Sequence, residues 1–256
     1  MMIPAERKEI IKDTLRQNRS VTVVELSDQL KVSTETVRRD LTALEREGFL
    51  EKNHGGATIR NRVVDTVTKQ VRASLYTENK LAIARQAAKF IHPGDCIFLD
   101  SSTTVFQICQ FLKNLPLVVV TTSLDVINFF AGNPNITLIC PGGQYLASNN
   151  AFMGIDTIDF FRSHSFDKAF ISCRSINLEN GICDSSELTS EFSRAVIGAA
   201  TSTFVLADHT KLNKSAFSFT CPLPRISTLI VDTQLSEQWT TTLDAMGVEY
   251  LECPLP

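Results

Sequence analysis

Apolar residues recur at helical spacing in three short segments at the start of the chain. In the third segment, Val37, Leu41 and Leu44 fall at positions i, i+4 and i+7, which places them on one buried stripe. Ser33 can cap this helix through its hydroxyl, and Gly48 can end it in a left-handed conformation. The pattern predicts helices over residues 5–17, over residues 24–30, and between Ser33 and Gly48.

The side chains opposite that stripe are polar and include two adjacent arginines. At 100° per residue, Arg39 points directly away from the stripe. The other polar residues on this face or its flanks are Glu35, Thr36, Arg38, Thr42 and Arg46. A short helix, a tight turn and a second helix with outward arginines are typical of a helix-turn-helix, whose second helix enters the DNA major groove. Arginine suits that helix because it pairs with guanine through two hydrogen bonds and also contacts phosphates.

The next segment is predicted to add a small wing. Residues 49–60 have the pattern of two short strands around Gly55-Gly56, and residues 21–23 can supply a third strand. The candidate DNA contacts are Ser33, Thr34, Glu35, Thr36, Arg38, Arg39, Thr42, Arg46, Lys52 and His54. Two simpler interpretations stay open, because Glu35 and Arg39 can form an ordinary i, i+4 ion pair and His54 can be a plain turn residue.

The pattern changes after a polar connection. Residues 61–77 lack a clear apolar stripe, so they are predicted to link a DNA-binding domain over residues 1–60 to a larger domain over residues 78–256. In the larger domain, nearly continuous apolar runs alternate with helical segments, which predicts an α/β domain with a mainly parallel sheet. The predicted strands are residues 96–99, 117–120, 136–140, 169–172, 204–207, 228–231 and 248–251. The predicted helices between them are residues 105–113, 124–131 and 187–201.

Polar and glycine-rich groups follow several of these strands. Ligands of such sheets bind at the carboxyl ends of the strands, so these groups are expected to meet in one crevice. The candidate effector-binding residues are Asp100, Ser101, Ser102, Thr103, Thr104, Thr121, Thr122, Gly142, Gly143, Arg174, Glu187, Asp208 and Lys211. Hydroxyls, backbone N–H groups at a helix start and cations are suitable donors to a phosphate. Asp100, Glu187 and Asp208 can accept hydrogen bonds from sugar hydroxyls.

Each of these groups also has a simpler interpretation. Residues 101–104 can do no more than cap the helix that begins near Val105, and Gly142-Gly143 can serve only to make a turn. Lys211 can be a solvated surface charge, and Arg174 can belong to a surface ion pair. The prediction of a site rests on their convergence at one end of one sheet.

Charge and cysteine content narrow the class of protein. The formal net charge is -3, but residues 1–60 carry a net charge of +1 and the remainder carries -4. The seven cysteines form no CxxC pair, and several lie inside apolar runs, which argues against a zinc site or a disulfide framework and for a reducing cytoplasm. No metal or other cofactor is expected. The chain starts with no signal peptide, and no apolar run approaches the ~20 residues of a membrane span.

The stretch VVELSDQLKVSTETVRRDLTALEREGFLEKNHGGA, residues 23–57, closely resembles the N-terminal domain of DeoR-family bacterial transcription regulators. The resemblance continues over most of the chain. The family's effector domain is similar to ribose-5-phosphate isomerase and binds phosphorylated sugars or related metabolites. Its recurring motifs resemble residues 100–104, 121–123 and 166–170, the glycines Gly142, Gly143 and Gly154, the acidic Glu187 or Glu191, and the pair Asp208 and Lys211.

This sequence departs from the family pattern at four positions. Ser102 and Ser175 stand where glycine is usual, and Thr122 stands where asparagine is usual. Ser193 replaces the usual lysine beside Arg194. These departures lie on or near the expected effector site.

The residues and the resemblance together imply a DNA-binding transcription regulator. We expect a repressor of a sugar or sugar-alcohol utilisation operon, controlled by a phosphorylated sugar or sugar-alcohol effector. It is expected to bind double-stranded operator DNA as a homo-oligomer, a dimer or higher, in the bacterial cytoplasm and on the nucleoid. The competing class is a sugar-phosphate isomerase with an appended DNA-binding domain, in which Asp100, Asp208 and Lys211 supply acid–base groups. A pure interaction scaffold does not account for the hydroxyl-rich strand ends.

Overall fold

A computed structural model describes residues 4–18, 20–46, 50–53, 55–59 and 69–255. The chain divides into two compact units, Met1–Val64 and Asp65–Pro256. The predicted connection over residues 61–77 falls partly outside the described residues, and its second half contains a helix at Lys69–Ser74. The domain boundaries at residues 60 and 78 therefore stay predictions.

The first unit is a winged helix-turn-helix, as the sequence predicts. Its three strands form one antiparallel sheet in the order β1-β3-β2. The elements are α1 (Pro4–Asn18), β1 (Ser20–Thr22), α2 (Val23–Leu30), α3 (Thr34–Arg46), β2 (Leu50–Asn53) and β3 (Gly56–Ile59). Gly48, the predicted end of the third helix, lies outside the described residues.

Side-chain caps fix the helix starts of this unit. Thr22 Oγ1 accepts a hydrogen bond from the N–H of Glu25 at 3.1 Å, and Glu25 Oε2 accepts from the N–H of Thr22 at 2.9 Å. This reciprocal arrangement satisfies two N–H groups at the start of α2. Lys31 ends α2 in the left-handed conformation. Ser33 then caps α3, as predicted, because its Oγ accepts from the N–H of Thr36 at 3.2 Å.

A buried ion pair joins α1 to α3 beside the apolar core. Val37, Leu41 and Leu44 are all buried in that core, as their spacing predicts. Next to them, Arg7 Nε lies 2.8 Å from Asp40 Oδ2, and Arg7 Nη2 lies 3.2 Å from Oδ1. The hydrogen bond to Asp40 raises the pKa of Arg7 above its ordinary value, although burial acts in the opposite direction. Such a two-point contact fixes the orientation of both side chains.

The second unit is an α/β domain. Its helices are α4 (Lys69–Ser74), α5 (Thr77–Ala88), α6 (Cys109–Leu112), α7 (Leu124–Phe130), α8 (Ile155–Ser163), α9 (Glu187–Ala199) and α10 (Glu237–Met246). Its strands are β4 (Cys96–Leu99), β5 (Leu117–Thr121), β6 (Ile136–Ile139), β7 (Gln144–Leu146), β8 (Ala151–Met153), β9 (Phe166–Ile171), β10 (Ser175–Asn177), β11 (Gly181–Asp184), β12 (Ala200–Ala207), β13 (Ser218–Cys221), β14 (Thr228–Val231) and β15 (Glu249–Glu252). Short 3-10 helices occur at Val105–Ile108, His209–Lys211 and Leu223–Arg225. Among the described helices, none has the length and apolar character to span a bilayer.

Seven parallel strands form the central sheet in the order β15-β14-β12-β9-β4-β5-β6. The chain proceeds outward from β4 through β5 to β6. It then returns to β9, beside β4, and proceeds outward in the other direction. The strand order therefore reverses between β4 and β9, and ligands of open α/β sheets bind at such a switch point.

Alternate residues of the strands face the two sides of the sheet. Phe98 packs into a core with residues of α8, α9 and α10, whereas Ile97 and Leu99 pack into a second core with residues of α5, α6 and α7. Both faces are therefore covered, which explains why the central strands have nearly continuous apolar runs.

All seven predicted strands of the central sheet are confirmed, with ends that shift by a few residues. The predicted helix over residues 105–113 begins as a 3-10 helix and becomes α-helical only at Cys109. The predicted helix over residues 187–201 ends at Ala199, because the chain enters β12 at Ala200. Four features were not predicted from the sequence: α8, α10, the β7–β8 hairpin and the small antiparallel sheet β10-β11-β13.

Two consecutive glycines lead from β6 into the β7–β8 hairpin, and they differ in their surroundings. Gly142 has a φ of +77° and open space where a Cβ would lie. Gly143 has a φ of +114°, and a Cβ there would lie 2.2 Å from Thr157 Oγ1 and 3.0 Å from the carbonyl oxygen of Met153. Thr157 Oγ1 in turn donates to the Gly142 carbonyl at 2.8 Å, so it would lose this hydrogen bond if it moved away from a Cβ at position 143.

We predict that Gly143→Ala destabilises the second unit more than Gly142→Ala does. Both alanines meet the left-handed backbone cost of about 1–2 kcal/mol. Only the alanine at 143 also overpacks a filled site, which typically adds about 1–3 kcal/mol. Urea unfolding of the two variants measures the difference. Equal free energies of unfolding would contradict the close contact with Thr157.

Candidate functional sites

The predicted DNA-contacting side chains of α3 lie on its exposed face. Ser33, Thr34, Glu35, Arg38 and Arg39 are exposed, and Thr36 and Thr42 are partly buried. Arg39 makes no ion pair with any residue in the described part of the chain. The alternative pairing of Glu35 with Arg39 is wrong, because the structure places Glu35 Oε2 at 3.8 Å from Arg38 Nη1 instead. That pair is largely solvated, with side-chain exposures of 67% and 59%, so it leaves both arginines accessible.

A lysine of the wing lies directly against α3. Lys52 Nζ donates to Thr42 Oγ1 at 2.9 Å, and the N–H of Lys52 donates to Glu45 Oε1 at 3.1 Å. Thr42 Oγ1 also donates to the carbonyl of Arg38 at 2.7 Å. The wing and the helix therefore present one continuous polar surface. His54 and the side chain of Arg46 lie outside the described residues.

Asp100 lies at the switch point of the central sheet. It follows β4, and its Oδ2 accepts a hydrogen bond from the N–H of Ser172, which follows the adjacent β9, at 2.6 Å. Its Oδ1 accepts from the N–H of Ser102 at 2.8 Å. Burial raises the pKa of Asp100, and the hydrogen bonds from Ser102 and Ser172 and the charge of Lys211 oppose part of that rise. Asp100 therefore holds two strand ends together and retains only its remaining lone pairs for a ligand.

Lys211 contacts this group from the segment that follows β12, the strand next to β9. Its Nζ donates to Ser172 Oγ at 2.5 Å, and that hydroxyl donates to the carbonyl of Leu206 at 2.6 Å. Asp208 caps the short helix that carries Lys211, accepting a hydrogen bond from the N–H of Thr210 at 3.1 Å. Burial raises the pKa of Asp208, but Lys211, Thr210 and Lys80 together bring it below its ordinary value. The charges of Lys211 and Lys80 therefore favour the ionised form of Asp208.

Lys80 is the member of this cluster that the sequence analysis missed. It lies in α5, on the buried face with Ile83, Ala84 and Ala87, and is only 4% exposed. Burial lowers the pKa of Lys80, Asp208 raises it, and Lys211 lowers it. Lys80 precedes Ile83 by three residues and Ala84 by four, so it lies on the same helical face as these apolar residues, and this spacing could have identified it.

In the loop after β4, Ser102 makes hydrogen bonds within the loop, whereas Ser101 and Thr103 are accessible. Ser102 Oγ accepts from the N–H of Val105, the first residue of the 3-10 helix, at 3.1 Å, whereas Thr104 at the cap position makes no side-chain cap bond. Ser101 and Thr103 are partly exposed, and Thr104 is buried. The N–H groups of Thr103 and Thr104 donate to no acceptor among residues 69–255. As free N–H groups at the start of a helical segment, they are suitable donors to an anion.

The hydroxyls after β5 have divided roles. Thr121 Oγ1 donates to the carbonyl of Leu99 at 2.7 Å, which ties β5 to β4. Thr122 Oγ1 is buried and has no hydrogen-bond partner within the described part of the chain, and the same holds for Ser175 Oγ. A buried hydroxyl without a partner costs about 1–3 kcal/mol. Both orphaned hydroxyls occupy positions where this chain departs from the family pattern.

The remaining predicted site residues are placed less centrally. Gly142 and Gly143 lie at the entry to the hairpin, whose β8 reaches the end of β5 through the hydrogen bond from the N–H of Phe152 to the carbonyl of Thr122. Arg174 precedes β10, and its N–H donates to the carbonyl of Cys183 at 3.1 Å. Glu187 is exposed, and its carboxylate accepts from Ser218 Oγ and Arg194 Nη2, both at 2.6 Å. These two bonds lower the pKa of Glu187, and no contact described in residues 69–255 joins it to Asp100 or Lys211.

Two family models match the chain. A model described as DeoR-like helix-turn-helix domain matches residues 7–63, and one described as DeoR C terminal sensor domain matches residues 76–233. Among solved structures, ribose 5-phosphate isomerase A from Methanocaldococcus jannaschii covers 53% of this chain and 54% of its own, with 19% identity and a TM-score of 0.39. That likeness is too distant to bear on function.

Curated relatives match over nearly their full length. The uncharacterized helix-turn-helix transcriptional regulator YulB of Bacillus subtilis is 32% identical over 99% of this chain and 98% of its own. The transcriptional repressor GlcR of the same organism is 31% identical over 98% and 96%. The lactose phosphotransferase system repressor of Lactococcus lactis is 32% identical over 91% and 92%. These relatives are regulators, which confirms the prediction of a regulator over that of an enzyme. The chain belongs to the DeoR family of transcriptional regulators, with a DeoR-like helix-turn-helix domain followed by the family's sensor domain.

Proposed function

We propose that this regulator is a repressor of a sugar or sugar-alcohol utilisation operon, and that a phosphorylated sugar or sugar alcohol in the switch-point crevice controls its binding to operator DNA. The observation that carries the proposal is the cluster of Lys211, Lys80 and Asp208 beside Asp100. The name of one relative, the lactose phosphotransferase system repressor, supports a role in a sugar operon, and the name of another, the putative aga operon transcriptional repressor of Escherichia coli, supports a role as an operon repressor. We place its action in the bacterial cytoplasm, on the nucleoid when it is bound to DNA.

The charges of the cluster favour a phosphate. The charges of Lys80 and Lys211 both act on the carboxylate of Asp208, and the carboxylate of Asp100 already accepts two backbone N–H groups. An anion beside Lys211 would offset the repulsion between the two cations. The N–H groups of Thr103 and Thr104 and the hydroxyls of Ser101 and Thr103 supply further donors. The proposed effector site comprises Asp100, Ser101, Ser102, Thr103, Thr104, Thr121, Thr122, Gly142, Gly143, Arg174, Asp208 and Lys211, with Glu187 at its margin.

The proposed DNA surface combines α3 and the wing. Arg39, Arg38 and Lys52 are exposed cations on one continuous face, which suits both phosphate and base-edge contacts. The proposed contacts comprise Ser33, Thr34, Glu35, Thr36, Arg38, Arg39, Thr42, Arg46, Lys52 and His54.

We predict that Arg39→Ala weakens operator discrimination by about 1–3 kcal/mol while the fold stays intact. Arg39 is exposed and contributes no packing to the core of the first unit. Gel-shift titrations at one fixed salt concentration, with operator and with scrambled DNA, measure the discrimination. Arg225→Ala, which removes an exposed arginine from the second unit, serves as the control. Unchanged discrimination with an unchanged circular-dichroism spectrum would refute the proposed role of Arg39.

We also predict that the protein is at least a dimer that binds two half-sites. One short recognition helix contacts few base pairs, so a second copy is needed for a longer operator. Footprinting should show half-sites separated by about 10–10.5 base pairs or a multiple of that spacing. A monomer in light scattering at micromolar concentration, still binding operator one-to-one, would contradict the prediction.

Lys211→Ala should weaken the effector response and leave effector-free operator binding near normal. Charge-assisted hydrogen bonds contribute about 1.5–3 kcal/mol, so the effector midpoint should shift roughly tenfold to a hundredfold. The effector is first identified by thermal-shift screening of pentose, hexose and sugar-alcohol phosphates, since a ligand at 100 times its Kd stabilises its site by about 2.7 kcal/mol.

The midpoint is then measured by gel-shift titration of wild type, Lys211→Ala and the exposed control Lys89→Ala. If Lys211→Ala keeps the wild-type midpoint, Lys211 is a surface charge and the proposed phosphate site is misplaced. If it loses operator binding without effector, the proposed division of labour between the units is wrong.

A further inference from the structure

The segment Lys69–Tyr76, called the strap below, contacts both sides of the switch point. It comprises α4 and the two residues that follow it, and it is the first described segment of the second unit. One end contacts α7, the helix that follows β5, and the other contacts His209, which follows β12. Neither the predicted DNA contacts nor the predicted effector residues include it.

Lys69 anchors the first end of the strap. Its side chain is only 10% exposed, and its Nζ lies 2.6 Å from Asp125 Oδ2 and 2.9 Å from the carbonyl oxygen of Asn149. Asp125 lies in the first turn of α7, and its Oδ1 accepts a hydrogen bond from Asn150 Nδ2 at 2.7 Å. The strap is thus tied to the β7–β8 turn and to the helix that follows β5.

Lys80 and Tyr76 anchor the second end. Lys80 Nζ donates to the carbonyl of Leu75 at 2.6 Å and also to the carbonyl of Arg72. Tyr76, in the left-handed conformation at a φ of 54°, packs edge-on against His209 with ring centroids 5.0 Å apart. His209 is itself fixed, because its Nδ1 lies 2.8 Å from Oδ2 of the buried Asp232.

One ammonium group links the strap to the proposed effector site. Lys80 donates to two strap carbonyls, and its charge acts on Asp208 together with the charge of Lys211. Burial lowers the pKa of Lys80, and repulsion from Lys211 and Arg72 lowers it further. An anion beside Lys211 would counter that repulsion and favour the ammonium form that holds the strap.

We propose that the strap is the regulatory element of the sensor: an anion in the crevice strengthens the hold of Lys80 on the strap carbonyls, and the strap passes this ordering to the chain that leads to the DNA-binding unit. The proposal rests on the proposed function for the identity of the anion. The strap itself is defined by contacts inside the second unit, so its coupling to DNA binding can be tested without any effector. Coupling in both directions is required, since linkage is reciprocal.

The test uses the full chain and an operator duplex that the wild-type protein selects from a random-sequence pool. Hydrogen–deuterium exchange of residues 69–76 is measured for the free protein, with the duplex, and with the sugar phosphate that shifts the wild-type melting temperature. The variants are Lys69→Met, which removes the first anchor, and Asp125→Asn, a milder change that carries the test if Lys69→Met fails to fold. Lys89→Met removes an exposed lysine from the end of α5 and is the matched control.

The sugar phosphate should slow exchange of the wild-type strap, and Lys69→Met should speed its exchange at least about fivefold in the free protein. Operator affinity of Lys69→Met should differ at least about fivefold from that of Lys89→Met, the lower end of typical coupling factors. The sugar phosphate should still raise the melting temperature of Lys69→Met, while its effect on operator affinity is lost.

Three outcomes would overturn the proposed role of the strap. The first is an exchange rate of residues 69–76 that Lys69→Met and Asp125→Asn leave unchanged. The second is an operator affinity within twofold of that of Lys89→Met despite faster exchange, and the third is a wild-type effector response in Lys69→Met and Asp125→Asn. If no sugar phosphate binds the wild-type chain, the proposed function fails, and the duplex measurements still decide the strap.

Discussion

The carboxylate of Asp100 is the contact on which the sensor depends. It closes the one place in the central sheet where strand order reverses, by accepting the N–H of Ser102 after β4 and the N–H of Ser172 after β9. The cost of burying this carboxylate is visible in its raised pKa, and hydrogen bonds to the charged form offset part of it. The hydroxyl of Ser172 in turn accepts a hydrogen bond from Lys211 Nζ, so the same carboxylate also helps to position that lysine. The proposed effector site is thus organised around the carboxylate of Asp100, a residue that is only partly exposed.

In the first unit, three consecutive residues of α3 divide between an exposed face and a buried contact. Arg38 and Arg39 face solvent, while Asp40, the next residue, is buried against Arg7 of α1. The helical rotation of 100° per residue makes this possible without a break in the helix. The residues of the proposed DNA surface and the residue that supports it therefore alternate along one helix. A substitution at Asp40 would affect the proposed DNA surface indirectly, by releasing α3 from α1.

The sequence predicted the elements whose pattern is local. The seven strands of the central sheet were found because both of their faces are buried, and α3 was found because its apolar stripe is regular. The β10-β11-β13 sheet was missed for two reasons. The strands β10 and β11 form a local hairpin but are too short for alternation to be recognised, and β13 pairs with β11 across more than thirty residues of chain. Lys80 was missed because it lies in a helix and not at a strand end, and Ser172 was missed because it was assigned to the predicted strand over residues 169–172, whereas β9 ends at Ile171. Glu187 was expected beside the crevice, but its carboxylate is engaged by Arg194 and Ser218.

The charges of the proposed effector site connect these observations to regulation. The charges of Lys80 and Lys211 both act on Asp208, and two backbone N–H groups already donate to the carboxylate of Asp100. An anion beside Lys211 would counter its repulsion of Lys80, and the same ammonium of Lys80 holds the strap carbonyls. Since coupling free energy is reciprocal, operator DNA would then change the affinity of the proposed site for its anion by the same factor by which the anion changes the affinity for operator DNA. Binding of the anion and release of operator DNA would then depend on the same equilibrium at Lys80.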